Sequence, residues 1–406
     1  MLYRKECSNG MRIVLEEITT VRSITIGIWV KTGSRNETLE QNGISHFIEH
    51  MLFKGTKNRT SLEIAEAFDG IGGEINAFTS KEYTCFYAKV LDTHKELAID
   101  ILSDMLLHST FEETEIEREK KVVLEEINMT EDTPDDIIHD LLADAVYKSN
   151  SLARPILGSK STVTNLSQQD LFRCFNEQYL PSNMVISIVG NVKQDFIETI
   201  EHYLSMDIKV NSQTITQPRP AFHANHINQT KETEQAHICL GYEGGVGMED
   251  KLIYPMMIVN NVLGGSMSSR LFQEIREKDG MAYSIFSYHS SFLDSGLLTI
   301  YAGTSKHQLD MVREKIDQVV DQLHHNGLTE KEWKNSKEQL KGLYMLSLES
   351  TNSKMSRNAR NELLLDEHPS LDDILQKIDN VTQDDISIIL NQLNSSNAAS
   401  AIIAPN

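Results

Sequence analysis

Positive charge is scarce in this chain. Its 406 residues carry 38 Lys and Arg against 59 Asp and Glu, a formal net charge of −21. That surplus of acid makes a poor partner for nucleic acid or for an anionic membrane surface. It would attract basic partners or substrates, although acidity also serves solubility alone. Cysteine is scarce too. Cys7, Cys85, Cys174 and Cys239 lie far apart with no Cys-x-x-Cys pair, and read as reduced, mostly buried residues of a cytosolic protein. No apolar run is long enough to span a membrane. The segment Met1 to Cys7 has neither an apolar signal core nor the composition of a transit peptide. The expectation is a cytoplasmic protein with no membrane and no nucleic-acid partner.

What is present is a core-forming chain, 40% hydrophobic, whose length suits two to three domains. Strands are expected at Met11–Glu16 and Ile24–Lys31, the second with Ile24, Ile26, Ile28 and Val30 on one face. Helical spacing follows over 57–69, with Thr60 or Ser61 as cap, and then two strands, Glu74–Thr79 and Tyr83–Val90. Helices at 92–107, 112–129, about 134–147 and from Ser167, a strand at 184–189 and a helix at 194–204 complete this half. Residues 205–234 are polar, contain Pro218 and Pro220 and show no strong period, so they read as a linker. A similar series of strands and helices then recurs. The expected fold is α+β, two duplicated domains each with a largely antiparallel sheet packed with helices. The boundaries are 1–210, a linker at 211–233, and 234–406.

One stretch of the first half stands out: Gly43-Ile44-Ser45-His46-Phe47-Ile48-Glu49-His50-Met51-Leu52-Phe53. On a helix His46 and His50 lie one turn apart on one face, with Glu49 beside them. Two such imidazoles can grip one metal ion, and a neighbouring carboxylate can take a proton from water. A pattern with three fixed positions is weak evidence alone. The flanks strengthen it, because they are apolar all round and imply a buried helix whose polar side chains need partners. The inverted order His-x-x-Glu-His is a peptidase motif. The matching helix of the later half, through Ile258-Val259-Asn260-Asn261-Val262-Leu263, has no His or Glu.

Catalytic zinc needs a third protein ligand. On the 112–129 helix, Glu126 shares a face with Val122 and Val123, whereas Glu125 falls with Arg118 and Lys121. Glu126 is therefore the better inward carboxylate. Glu119, two turns earlier on the same stripe, suits an orienting role. Aligning the repeats at Phe111 and Leu328 sets Ser336 opposite Glu119 and Leu343 opposite Glu126. His223/His226 and His324/His325 read as solvated.

At these residues the chain resembles the pitrilysin/insulinase family of zinc metallopeptidases. It is most similar to the short bacterial type akin to the mitochondrial processing peptidase β subunit. The resemblance is carried by GISHFIEHMLFKGT (43–56), NAFTSKEYTCFYAKV (76–90), residues 119–126 and GGSMSSRLFQEIREKDGMAYS (264–284). It implies a clamshell of two lobes, one zinc ion per chain on His46, His50 and Glu126, and Glu49 as general base. It assigns Glu119 the family's additional acidic position and Asn76 and Ala77 a substrate-binding edge strand. Arg276 and Tyr283 would reach the active site, from this chain or from a partner chain. The implied function is zinc endopeptidase action on extended or unfolded peptides, with basic ones favoured by the acidity, in a homodimer. The competing readings are a non-catalytic assembly or peptide-binding subunit of the same fold, and a metal hydrolase of another substrate class.

Overall fold

Alternation along one strand sets the layers of the first unit. In β3 (Ser23–Val30), Ile24, Ile26, Ile28 and Val30 enter one core, while Thr25, Gly27 and Trp29 face the other side of the sheet. A computed structural model describes residues 1–205 and 218–406, and these form two units. The first comprises 1–127, the described part of 155–217, and 347–368. The second comprises 128–154, 218–346 and 369–406.

The sheet of the first unit also contains β1 (Leu2–Glu6), β2 (Arg12–Glu17), β4 (Glu74–Thr79), β5 (Thr84–Leu91) and β6 (Met184–Gly190). Its order is β1-β2-β6-β3-β5-β4. Among the described residues only β2 and β6 run parallel in this sheet, and β4 is an edge. Helices Ile44–Leu52, Ser61–Asp69, Lys95–His108 and Phe196–Tyr203 close the core on one face. Thr60 caps the second of these, in a reciprocal box with Glu63. Gly72 precedes β4 at φ +63, and a Cβ there would meet nothing within 4 Å. Glycine serves the turn at that position rather than close approach of another backbone.

The opposite face is covered by helix Thr351–Arg360, from far along the chain. Trp29 Nε1 donates to Met355 Sδ at 3.1 Å, and the Thr25 and Thr351 hydroxyls pair at 2.9 Å. A Cβ on Gly27 would collide with Met355 Sδ, so glycine lets the helix sit close. After that helix, buried Glu362 accepts from Arg4 Nε at 2.7 Å and pairs with His368 Nε2 at 2.7 Å.

The sheet of the second unit has the order β7-β11-β8-β10-β9. Its strands are β7 (His226–Thr230), β8 (Ala236–Glu243), β9 (Ala282–Ser291), β10 (Gly296–Thr304) and β11 (Ala399–Ala404). Among the described residues only β7 and β11 are parallel in this sheet. Helices Ile253–Leu263, Leu309–Asn326 and Gln383–Gln392 pack around one core. Helix Pro134–Tyr147 covers the other face, where Leu142 and Val146 lie against Gly241 of β8.

The antiparallel α+β character is as expected, but the continuous division of the chain is not. Residues 128–154, expected in the first domain, pack with the second unit, and 347–368 pack with the first. A helix's apolar stripe shows that it must be covered, not which sheet covers it. The expected linker also changes: His226–Thr230 within it is a strand, and 211–217 lie outside the described residues. No described helix is long and apolar enough to cross a membrane.

Candidate metal centre

Helix Ile44–Leu52 buries Ile44, Phe47, Ile48, Met51 and Leu52 and leaves His46, Glu49 and His50 half-buried. Its N-terminus is held by an acid that sequence reasoning passed over. Glu37 is 7% exposed. Its carboxylate accepts from the Gly43 and Ser45 N–H groups and the Asn42 amide, each at 2.8 Å. An anion there satisfies helix donors that lack intrahelical partners. Burial nevertheless pushes the Glu37 carboxyl up.

His46 Nε2 and His50 Nε2 are 3.2 Å apart. Glu126 Oε2 lies 3.8 Å from the first and 3.6 Å from the second. Among the described residues, these three form the one group of His, Cys, Asp or Glu side chains placed to share a metal ion. Tetrahedral zinc with bonds of about 2.0–2.2 Å spaces its ligand atoms about 3.3–3.6 Å apart. The observed separations bracket that range, and the donor set, two imidazoles and a carboxylate, is one zinc accepts. The residues fit the ion.

The surrounding groups prepare the donors. His50 Nδ1 is 2.8 Å from Glu119 Oε1, which directs the ring proton to Nδ1 and leaves Nε2 a lone pair. Glu119 is 3% exposed, and its other oxygen takes Lys54 Nζ at 2.6 Å. Burial raises the Glu119 carboxyl, but hydrogen bonds from His50 and Lys54 outweigh it and hold the group below its usual range. Burial, then the neighbouring His50, pushes His46 down to about 3, so that ring is neutral. Its buried Nδ1 has no hydrogen-bond partner. Burial opposes charge on His50, yet the Glu119 hydrogen bond and the surrounding carboxylates raise it overall.

Glu49 lies beside this group. Its Oε2 accepts from the Thr79 hydroxyl at 2.6 Å, and its Oε1 makes no hydrogen bond among the described residues. Burial pushes the Glu49 carboxyl up against the opposing effects of Thr79 and His50.

Asn76 and Ala77 stand on edge strand β4, and Asn76 Oδ1 accepts from the Ala77 N–H at 2.8 Å. Arg276 and Tyr283 belong to the second unit. The Arg276 guanidinium lies over the Phe272 and Tyr283 rings at 4.8 and 5.1 Å, and Tyr283 is 78% exposed. Glu125 is exposed. Of the two valines expected to share the inward face with Glu126, Val123 is buried but Val122 is 45% exposed. The inward stripe runs through Ile116, Glu119, Val123 and Ile127, with Glu126 at its margin. His324 is not simply solvated, since its Nδ1 pairs with Leu390 O at 2.7 Å. Thr79, Lys54 and Glu37 were missed, and the signal for Thr79 was available: residues 75, 77 and 79 share one face of β4.

The family model for insulinase, peptidase family M16, matches residues 12–160, and that for the peptidase M16 inactive domain matches 165–340. The chain is 52% identical over 407 residues to an uncharacterized zinc protease of Bacillus subtilis, covering 100% of this chain and 99% of that protein. It is 40% identical to an uncharacterized zinc protease of Streptomyces coelicolor, covering 99% and 89%. The fold matches the crystal structure of a protease from Helicobacter pylori at a TM-score of 0.93 and 21% identity, covering 100% and 99% of the two chains. With family models matching most of its length and relatives aligned over nearly all of it at this identity, the chain belongs to the insulinase family of peptidases, family M16.

Proposed function

We propose that this protein is a zinc-dependent endopeptidase acting on extended or unfolded oligopeptides. The observation that carries the reading is the convergence of His46 Nε2, His50 Nε2 and Glu126 Oε2, with the Glu49 carboxylate alongside. One zinc ion per chain would be held by those three atoms. When bound, zinc supplies Lewis acidity toward a water and toward the scissile carbonyl. Glu49 accepts the proton of the attacking water and returns it to the leaving amine. Glu119 keeps His50 in the tautomer that presents Nε2.

Strand β4 is an edge, so an extended peptide can add to it through main-chain hydrogen bonds, beside Asn76 and Ala77. Such pairing tolerates many sequences and rejects folded proteins. The Arg276 guanidinium and Tyr283 hydroxyl are donors suited to the oxyanion of the tetrahedral intermediate. They would act from the same chain or from a partner in a homodimer. The net charge of −21 favours basic peptides, and four free cysteines suit the cytoplasm.

The test is peptide cleavage by the purified protein with and without a chelator, beside Glu49→Gln. The expected result is chelator-sensitive cleavage, restored by zinc and lost in Glu49→Gln with zinc content unchanged. Bound zinc without cleavage of any peptide would favour a non-catalytic peptide-binding subunit.

A further inference from the structure

The structure assigns Thr79 as a positioning residue: its hydroxyl fixes one oxygen of Glu49 so that the other faces the reacting water. The inference rests on Glu49 as general base. Thr79 is the last residue of β4, on the face toward the helix that carries Glu49. Its hydroxyl donates to Glu49 Oε2 at 2.6 Å, while Glu49 Oε1 has no hydrogen bond among the described residues. A glutamate has three side-chain torsions to fix, and a charge-assisted hydrogen bond from a stiff β-branched residue removes most of that freedom.

The hydroxyl is itself held. Thr79 is the register partner of Thr84 on β5, with their oxygens 3.5 Å apart, and the Thr84 proton goes to Thr32 O at 2.9 Å. The Thr84 proton is thus committed elsewhere, and the Thr79 hydroxyl is left to serve Glu49. The consequence is mechanical. The strand offered to the peptide and the group that aims the base are one piece of backbone, so a peptide paired on β4 is set at a fixed depth against Glu49.

The second unit supplies an internal control. There Ser287, on edge strand β9, donates to Asn260 Oδ1 at 2.7 Å, and Asn261 Nδ2 donates to Ser336 Oγ at 3.0 Å. The adjacent pair Asn260 and Asn261 repeats the contacts of Glu49 and His50: an edge-strand hydroxyl to the first, and to the second a side chain of a long helix, Glu330–Ser347 here and Glu113–Asp132 in the first unit. Ser336 is the residue that the repeat alignment sets opposite Glu119. The contact therefore joins helix and edge strand in both units, but only in the first does it end on a group able to move a proton. Removing the equivalent hydroxyl in each unit separates a packing role from a positioning one.

The experiment uses the full-length, zinc-loaded protein and an internally quenched oligopeptide. Thr79→Val should lower kcat about ten- to hundredfold, with KM and zinc content unchanged. Thr79→Ser should restore kcat to within about threefold. Ser287→Ala should leave kcat unchanged. Thr79→Ala replaces Thr79→Val if the latter does not fold. Wild-type kcat in Thr79→Val overturns the proposal. So does failure of Thr79→Ser to restore activity, loss of zinc from Thr79→Val, or an equal loss in Ser287→Ala. Retained activity in Glu49→Gln would instead remove the general-base reading on which the proposal stands.

Discussion

Truncating Glu119 tests how the site holds its metal. In the folded protein Glu119 joins His50 Nδ1 at 2.8 Å to Lys54 Nζ at 2.6 Å, and it is 3% exposed. Glu119→Ala leaves the imidazole proton without its acceptor and the ammonium without its counter-charge. Hydrogen bonds to charged groups contribute about 1.5–3 kcal/mol. Carried into zinc binding, that is about a 10- to 150-fold rise in Kd, in line with the effect of other groups that orient metal-bound histidines. Glu119→Gln keeps an acceptor for His50 but has lost the charge that pairs Lys54, so it should fall between alanine and wild type. Glu125→Ala, on the exposed side of the same helix, should leave Kd unchanged. Competition against a chromophoric chelator reads all three. Wild-type zinc affinity in Glu119→Ala would refute the reasoning, and so would an equal loss in Glu125→Ala.

The Glu362 carboxyl sits at about 2, well below the usual carboxylate range; burial raises it, but hydrogen bonds from His368 and Arg4 outweigh that. A depressed carboxyl stabilises the fold above about pH 4.5, and the contribution is lost as pH falls toward about 2. The full shift corresponds to about 3 kcal/mol. Because Arg4 is 46% exposed, solvent screening reduces this to roughly 1–2 kcal/mol. Urea unfolding of the metal-free protein should therefore lose stability between about pH 4.5 and about pH 2, and Glu362→Gln should flatten that dependence; an unchanged slope would contradict it. Gly27→Ala should destabilise by about 1–3 kcal/mol through collision with Met355. Adding Met355→Ala to Gly27→Ala should cost less than the two single changes summed, and strict additivity in thermal unfolding would rule out that contact. Gel filtration with activity assays should find the active species as a dimer; a fully active monomer would remove the homodimer reading.

Much of the site was legible because its chemistry is local. His46, Glu49 and His50 lie within five residues, and a helical turn alone brings them to one face. Strand β4 was read with its observed ends, Glu74 and Thr79, because turn residues bracket it on both sides. Glu126 was separable from Glu125 by stripe position, although exposed Val122 shows how coarse that reading was. What stayed hidden depends on partners distant in sequence. Nothing in Pro134–Tyr147 or Thr351–Arg360 names the sheet each covers. Gly27 and Gly241 were the visible signs, small residues in mid-strand where a helix must come close. Glu37 carries no local mark of its role, since only the fold brings the N–H groups of Gly43 and Ser45 to its carboxylate. The edge strand β7 lies in a polar stretch and pairs with β11 near the far end of the chain, so no local period marks it.

The most direct test is a crystal structure of the zinc-loaded protein with anomalous data collected across the zinc edge. One zinc peak per chain, in contact with His46 Nε2, His50 Nε2 and a Glu126 carboxylate oxygen, is the predicted result. No peak there, or a peak touching one imidazole without the other or without Glu126, would contradict it.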